Sequence, residues 1–405
     1  MELKKIHISD IGKVVTGKTP RTSIVENYGG DIPFLTPSDD LSYKSVPKTG
    51  KTLTEQGLNE VKNCLLPPHS VCVSCIGTDL GKVVMTSEPT ITNQQFNSII
   101  PNRRFDADFV YYLMTLVGKE LNYLSKTSTA VPIINKSSFS NYEVEVPDLE
   151  TQEKIASILS SLDSKIELNR RINDNLEQQT QALFKSWFVD NPKPNWSETT
   201  FSEVANFIGG YSYKGEELTD SSNIAMVTIK NFGRNGGFKA DGFKGIAPFV
   251  KLKECHYANL FDILVAHTDL TQNADVIGNA ELLLTYGRYD GIIFSMDLVK
   301  VLPKNNFPYR FLLAAMLKNK IFKGHCLGYV NGTTVLHLSK KALPNFEVKI
   351  PPKAEAKTMN DALAPYYQRM AEVLQENDRL IHLRDTLLPK LMSGELNINA
   401  KSRLQ

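Results

Sequence analysis

The sequence predicts an α+β fold, in which two repeated mixed α/β domains are separated by two long helices that pair as an antiparallel coiled coil. Residues 131–188 align without a gap with residues 335–392, at a constant offset of 204, and 11 of these 58 positions are identical. Each copy begins with a block of short β-branched and aromatic runs. Each copy ends with a long helical stretch that carries a heptad seam.

A repeated strand ending marks the close of each α/β block. Residues 140–147 read SNYEVEVP, and residues 344–351 read PNFEVKIP. The openings of the two blocks are also similar, since ISDIGKVVTG (8–17) resembles FSEVANFIGG (201–210). A period of roughly 200 residues is too long for a solenoid unit. The chain is therefore predicted to be a duplicated two-part module.

Six segments follow from this pattern. They are an α/β block at 1–147, a helix at 148–190, a Pro-rich linker at 191–198, a second α/β block at 199–351, a second helix at 352–396 and a tail at 397–405. Runs such as GDIPFLTPSD and FDILVAH predict strands within the blocks. Shorter helices are predicted late in each block, over 106–124 and 309–325.

The two long helices are expected to pair with each other. The first runs for about 37 residues without Gly or Pro, which at ~1.5 Å per residue is roughly 55 Å. Each seam covers one face only, so each helix needs a partner, and pseudo-symmetry makes the pair antiparallel. Asn173 and Asn377 are equivalent seam positions, which either meet and fix the register or lie solvated at the seam edge. Asn173→Leu is predicted to raise stability and allow register slippage. Pro365 is expected to kink the second helix or to mark its start.

Composition excludes several classes of protein. The net charge of +2 is too small to indicate nucleic-acid binding unless Lys and Arg cluster on one face. The N-terminus lacks the apolar core of a signal peptide, and no apolar run approaches ~20 residues, so a cytoplasmic protein without a membrane partner is expected. Five cysteines, with Cys72 and Cys75 on one predicted strand, indicate neither a disulfide framework nor a metal site.

Two short motifs match catalytic patterns in letters but not in context. GKVVTGKT, from Gly12 to Thr19, fits the P-loop pattern. Two valines fall inside the supposed loop, however, and Pro20 stands where a helix should begin. A P-D-x₁₄-D-x-K match ends on the first long helix rather than on a sheet. No Ser-His-Asp set, H-E-x-x-H run or methyltransferase [DNS]-P-P-[YF] run is present, so the pattern favours a binding protein over an enzyme.

Several longer stretches carry a family resemblance. ISDIGKVVTGKTPRT with YGGDIPFLTPSDD, LLPPHSVCVSCIGTDLGKVVMT with TNQQFNSI, the helix VPDLETQEKIASILSSLDSKIELNRRINDNLEQQTQALFKSWF, and RDTLLPKLMSGELNI cover much of the chain. They resemble the target recognition domains, central conserved helix and C-terminal end of the specificity (S) subunit of type I restriction-modification systems. The second block departs most, because it keeps FDILVAHTDL but lacks a clear NQQ.

The resemblance implies a DNA-reading subunit without an active site of its own. Each recognition domain reads a short half-site of double-stranded DNA, and the helix pair acts as a spacer between them. Two modification (methyltransferase) subunits and the restriction (translocase/nuclease) subunits are the implied partners. S-adenosylmethionine, ATP and Mg²⁺ belong to those partners, and this chain is expected to need no cofactor or metal. The alternatives are a nucleotide-binding enzyme built on Gly12–Thr19 and a coiled-coil scaffold that does not bind DNA.

The resemblance also places DNA contacts on loops, where Lys and Arg suit phosphates and Gln, Asn and Arg suit base edges. In the first domain the candidates are Lys18, Thr19, Arg21, Thr36, Ser38, Lys44, Thr78, Lys82, Gln94, Gln95, Lys126, Thr127 and Ser128. In the second domain they are Tyr211, Tyr213, Lys214, Lys230, Asn231, Arg234, Thr268, Gln272, Asn273, Asn331, Thr333 and Thr334.

Overall fold

Two compact units make up the chain. The computed structural model describes residues 1–77, 80–126, 133–234 and 236–396, and for 124–126 it describes the backbone alone. One unit combines Met1–Glu167 with the chain from Leu380 onward, and the other is Leu168–Arg379. We call them unit 1 and unit 2. Each long helix contributes residues to both units, and the tail predicted at 397–405 lies outside the described residues.

Unit 1 contains two larger sheets, a two-stranded ladder and the helices that cover them. Its elements are β1 (Lys4–His7), α1 (Ile8–Ile11), β2 (Gly12–Thr16), β3 (Tyr28–Leu35), β4 (Lys51–Leu53), α2 (Glu55–Val61), β5 (Val71–Ser74), β6 (Val83–Met85), β7 (Ile91–Thr92), β8 (Phe96–Pro101), α3 (Ala107–Lys126), α4 (Lys136–Ser140), β9 (Glu143–Val146) and the first part of α5 (Leu149–Lys185). One antiparallel sheet has the order β2-β8-β5-β6, and a mixed sheet has the order β4-β3-β7. The predicted helix over 106–124 corresponds to α3.

Unit 2 repeats this plan. Its elements are β10 (Ser197–Thr200), α6 (Phe201–Val204), β11 (Ala205–Gly209), β12 (Ile224–Val227), β13 (Lys244–Gly245), β14 (Tyr257–Ala258), β15 (Ile263–Ala266), β16 (Thr268–Asp269), β17 (Ala280–Leu282), β18 (Gly291–Phe294), β19 (Leu298–Pro303), α7 (Arg310–Leu317), α8 (Lys320–Leu327), β20 (Val330–Asn331), β21 (Leu336–Leu338), β22 (Glu347–Ile350) and α9 (Lys353–Met392). The sheet β11-β19-β15-β17 matches β2-β8-β5-β6 strand for strand. A mixed sheet, β13-β12-β18-β14, a small sheet, β16-β21-β20, and the two-stranded ladder β10-β22 complete the unit.

The repeated strand ending has the same place in both units. In unit 1, β9 pairs antiparallel with β1, so that His7 faces Glu143. In unit 2, β22 pairs antiparallel with β10, so that Thr200 faces Glu347. A proline follows each ladder, and a long helix begins two residues later. Each motif therefore closes its domain against the strand that opens it and then leads into a helix.

The hydrophobic core of each unit includes one face of the long helices. In unit 1, Ile155 and Leu159 of α5 are buried with Leu388 and Leu391 of α9, beneath α3. In unit 2, the core side of α9 includes Leu363, which packs with residues of α7 and of the antiparallel sheet. Burial of this stripe explains why long helices of such polar composition are stable.

Two helix expectations need correction. The helix predicted over 309–325 is divided into α7 and α8, because the Asn319 side chain accepts hydrogen bonds from the backbone of Ile321 and Phe322 and starts a new helix. Pro365 does not mark the start of the second long helix, since α9 begins at Lys353 and continues through Pro365. The first long helix ends at Lys185 and is followed by a π-helical turn, Ser186–Asp190.

The expected contact between Asn173 and Asn377 is replaced by another pair. Asn169 Nδ2 donates to Asn377 Oδ1 at 2.9 Å, and Asn173 Nδ2 donates to the backbone oxygen of Met370 at 3.4 Å. Within unit 2 the two helices are thus antiparallel, but their register differs by one helical turn from the register that would join the equivalent asparagines. With the offset of 204, Asn169 corresponds to Val373 and Asn377 corresponds to Asn173. The position equivalent to the Asn169–Asn377 contact therefore sets Asn173 against Val373, an apolar residue.

In the part of the chain that the structure describes, no helix is long and apolar enough to cross a membrane. The described residues also include no group of three or more His, Cys, Asp or Glu side chains that could hold a metal ion. Cys72 and Cys75 are buried, and burial raises the pKa of the Cys72 thiol to about 12.

Candidate nucleic-acid interface

In unit 1, two loops that carry predicted contacts are held side by side. The loop after β2 approaches the loop before β8, where the Thr19 hydroxyl donates to Gln94 Oε1 at 2.6 Å and the Lys18 backbone N–H donates to the Thr92 oxygen. A Cβ atom on Gly17 would lie 2.1 Å from the backbone oxygen of Asn93, so only glycine permits this approach. Lys18 and Gln94 are exposed and present a cation beside an amide.

Several other unit 1 candidates already form ion pairs or hydrogen bonds within the protein. Exposed Arg21 forms an ion pair with Glu60 at 3.5 Å, a solvent-facing contact that a phosphate can displace at little cost. The Thr36 hydroxyl bonds with Ser38 and Asp39, which shapes the turn after β3. Gln95 Oε1 accepts from Asn93 Nδ2. Lys82 is exposed next to β6.

Lys44 does not present its charge to an open surface. Its ammonium lies 2.6 Å from Asp108 and donates to the hydroxyls of Tyr112 and Ser160. Tyr112 in turn donates to Asp163 on α5 at 2.6 Å. We therefore remove Lys44 from the set of DNA contacts, because its partners place it between α3 and α5. The sequence showed only a lysine in a polar loop, with no sign of these partners.

In unit 2, the buried carboxylate of Glu217 joins two loops. Glu217 Oε1 accepts from the Tyr211 hydroxyl at 2.6 Å and from the Phe249 backbone N–H at 2.8 Å, and Oε2 accepts from the Lys214 N–H. The Tyr211 hydroxyl and these two N–H groups hold the pKa of Glu217 below its usual range. Lys214 is exposed and Tyr213 half-buried beside this junction.

Three of the unit 2 candidates are buried in the interior of the domain. Tyr211 is occupied by Glu217, and Thr268 belongs to β16, which pairs with β21. Asn231 accepts from the Thr228 N–H and donates to the Lys239 oxygen, so it closes a turn. These three side chains are removed from the contact set, since a buried side chain cannot reach a base edge. The sequence analysis had placed these residues on exposed loops because their side chains are polar.

The other unit 2 candidates remain at the surface. Arg234 faces Asp275 across 3.8 Å, and Lys230 is exposed. Gln272 Nε2 donates to the Thr334 oxygen at 3.3 Å, which joins the loop after β16 to the turn between β20 and β21. The exposed candidates on these two segments are Gln272, Asn273, Asn331, Thr333 and Thr334. Thr78, Thr127 and Ser128 of unit 1 lie outside the described residues, as does the Lys126 side chain.

The Gly12–Thr19 match is not a phosphate-binding loop. Gly12–Thr16 is strand β2, whose residues pair with those of β8, and Val14 and Val15 are buried. A P-loop needs free backbone N–H groups that converge on phosphates. Here the ladder to β8 uses that backbone, so the structure overturns this alternative.

A family model decides what these two units represent. The model for the type I restriction modification DNA specificity domain matches the chain twice, over residues 1–178 and 193–382. The chain belongs to this family. It is a type I specificity subunit with two repeated recognition domains, and each family match contains one of the α/β blocks described above.

Individual relatives agree with this assignment. The specificity chain is 28% identical over 422 aligned positions to the type I restriction enzyme MjaIX specificity subunit of Methanocaldococcus jannaschii, covering 98% of this chain and 94% of the relative. It is 37% identical over 174 positions to the HindI specificity subunit of Haemophilus influenzae, covering 41% and 38%. The crystal structure of a type I S subunit from M. genitalium has a similar fold, with a TM-score of 0.54, 16% identity and 96% of both chains covered.

The sequence analysis did not predict two features of the chain, an exposed apolar pair and a buried charge cluster. Phe249 and Val250 are large, apolar and exposed by 65% and 61%, and they stand between Pro248 and Lys251. Lys318 is buried between Glu177 of α5, at 3.1 Å, and Glu281 of β17. The run PFVKLK could have signalled the first feature. The second had no local signal, because its three charges are far apart in the sequence.

Proposed function

We propose that this specificity subunit reads a two-part DNA target, with one half-site for each recognition domain. The double match to a DNA specificity domain carries the proposal. In both units, exposed cationic and amide side chains lie on loops that hydrogen bonds hold together. In unit 1, for example, the Thr19 hydroxyl donates to Gln94 and joins the loop of Lys18 to the loop of Gln94. Loops fixed by a rigid scaffold are common carriers of recognition residues.

The remaining lysine, amide and arginine candidates divide into two chemical roles. Lys18, Lys82, Lys214 and Lys230 suit phosphates, which fix the position of a domain on the duplex without reading sequence. The amides and arginine suit base edges, since Gln and Asn can make two bonds to adenine and Arg can make two to guanine. These candidate readers are Gln94, Gln95, Arg234, Gln272, Asn273 and Asn331.

The long helices are proposed to set the spacing between half-sites. A helix of roughly 55 Å spans about 16 base pairs at ~3.4 Å each, so an unread spacer of about one helical turn fits between the sites. Two modification subunits are proposed to dock on the helices, and the restriction subunits to join that assembly. The modification subunits would supply S-adenosylmethionine chemistry and flip the target adenine, while ATP and Mg²⁺ would serve the restriction subunits. This chain itself would recognise DNA without catalysing a reaction.

Co-expression with the cognate modification subunit tests the proposal. Methyladenine mapping of the host genome is expected to show a bipartite motif with two fixed half-sites. The Gln94→Ala and Gln95→Ala variants should then broaden the first half-site and leave the second unchanged, because only unit 1 carries these amides.

Lys18→Ala provides the matched control. Lys18 lies next to Gln94 but is assigned to a phosphate, so its removal should weaken binding about equally on all sequences. Methylation without a sequence motif, in the presence of partner subunits, would contradict the proposed function. Uniform weakening by Gln94→Ala would instead reassign that residue to phosphate contact.

A further inference from the structure

An apolar tip projects from unit 2 at Phe249 and Val250, and we call it the 249–250 tip. Its two side chains are among the most exposed large apolar groups in the described part of the chain. Surface apolar residues that occur singly need no explanation, but two adjacent exposed residues after a proline form a compact apolar point.

The backbone of the 249–250 tip is fixed on both sides. Ile246 before it is fully buried and bonds to Ile224 of β12, and Leu252 after it packs against the same small core. The Ala247 N–H donates to the Glu217 backbone oxygen, and the Phe249 N–H donates to the Glu217 carboxylate at 2.8 Å. Pro248 further restricts the chain. The exposed aromatic ring is thus presented on a rigid backbone and does not belong to a loose loop.

Three exposed lysines lie around the tip, together with the exposed carboxylates of Glu216 and Glu254. Exposed Lys251 and Lys253 follow it directly, and Lys214 lies on the other loop that Glu217 holds. At the other end of the same segment, burial and the nearby charge of Lys230 lower the pKa of Lys244. Lysine is depleted at the centres of protein–protein interfaces, whereas lysines around an apolar point match the phosphates that border a base step.

We propose that Phe249 inserts between two base pairs at or beside the second half-site, with Val250 filling the groove next to it. Lys214, Lys251 and Lys253 would hold phosphates on either side of the opened step. Apolar wedges of this kind partly unstack a base step and kink the duplex. The inference deepens the proposed function and rests on it, because it assigns unit 2 a role in DNA deformation besides base reading.

The test uses the full chain assembled with its modification subunit on a duplex that carries the mapped target. 2-Aminopurine is placed at one position at a time through the second half-site and its flanks. Wild-type complex is expected to raise fluorescence at one step, because the base there loses its stacking partner. Phe249→Ala should abolish this signal and weaken binding roughly tenfold, the scale of one base–aromatic stack.

Three control variants isolate the wedge. Phe249→Leu retains an apolar side chain and should keep most of the fluorescence signal. Val189→Ala removes another exposed apolar side chain, on the π-helical turn, and should change nothing. Lys251→Ala should lower the salt dependence of binding by about one phosphate contact while the signal persists.

The outcomes separate this inference from the function on which it rests. Selective binding by the wild-type complex with no 2-aminopurine response, or with an unchanged response in Phe249→Ala, overturns the wedge and leaves the proposed function standing. Loss of the modification subunit from the DNA-free Phe249→Ala complex identifies the tip as a protein contact and also overturns the wedge. A wild-type complex without sequence-selective binding overturns both.

Discussion

Replacing Asn173 with Leu is expected to raise the free energy of unfolding of unit 2. The Asn173 Oδ1 atom is inaccessible to solvent and accepts no hydrogen bond from the described residues. Its Nδ2 atom makes a long bond to the Met370 oxygen, which already lies within helix α9. The Asn169–Asn377 bond remains in the variant and still fixes the register. We therefore expect no register slippage, which revises the expectation drawn from sequence.

The size of the effect follows from three contributions. Burying an acceptor without a partner costs about 1–3 kcal/mol. Leu is better than Asn in a helix by about 0.5 kcal/mol, and it adds some apolar burial at this half-buried position. The first two contributions alone sum to about 2.5 kcal/mol. A unit of roughly 200 residues gains about 2–4 °C in Tm per kcal/mol, so Tm should rise by about 5–10 °C.

Thermal and urea unfolding of the full chain measure this change, and Asn175→Leu is the matched control. Asn175 lies on the exposed face of α5, so the same substitution alters helix propensity without removing a buried acceptor. The difference between the two variants isolates the contribution of the seam. Equal stability of the two variants, or a lower Tm for Asn173→Leu, would refute the reasoning.

Three other substitutions test the polar interior. Lys318→Met should lower the free energy of unfolding of unit 2 by about 3–5 kcal/mol at neutral pH, because the carboxylates of Glu177 and Glu281 lose their partner. The difference in Tm from the wild type should shrink in acid, where these carboxylates become protonated. Glu217 has a folded-state pKa below the ordinary 4.5, so its stabilisation is present above that value and disappears as pH falls through the lowered pKa. Glu217→Gln should therefore lower Tm at neutral pH and flatten its acid limb. Arg384→Ala should cost about 2–3 kcal/mol by leaving Asp163 without its 2.8 Å ion pair, and Asp163→Asn in that background should recover part of it.

Much of the fold could be predicted because the sequence contains two copies of the same module. Hydrophobic periodicity identified both long helices, and the repeated strand endings correspond to the paired strands β9 and β22. The break between α7 and α8 was missed, since the apolar pattern continues across it and only Asn319 signals a new start. The helix register was also missed. It is determined by three-dimensional packing of the two seams, which single-sequence spacing constrains only to within a turn.

The sequence grouped some candidate loops that lie together in the structure, but it could not tell which of their side chains are exposed. The loops around Lys18 and Gln94 lie together in the structure, and the loop after β16 meets the turn that contains Thr334. Polarity alone could not tell an exposed reader from a polar group that holds a turn, as Asn231 does. It also could not identify Phe249, because an apolar residue in a sequence is first assigned to the core.

The polar layers of the helix pair differ between the two units, and this difference has a consequence for assembly. In unit 1, Asp163 of α5 pairs with Arg384 of α9. With the offset of 204, Asp163 corresponds to Tyr367 and Arg384 corresponds to Thr180. Both of these equivalents are neutral and buried in unit 2. If α5 paired with the α5 of a second copy in the same register, Asp163 would face Thr180. If α9 paired with another α9, Arg384 would face Tyr367. Each arrangement leaves two like charges in the seam, one from each copy, without the partner that each has in the α5–α9 pair, at a cost of several kcal/mol. The ion pair thus stabilises the pairing of α5 with α9 over both homotypic pairings, although the two helices descend from one repeated sequence.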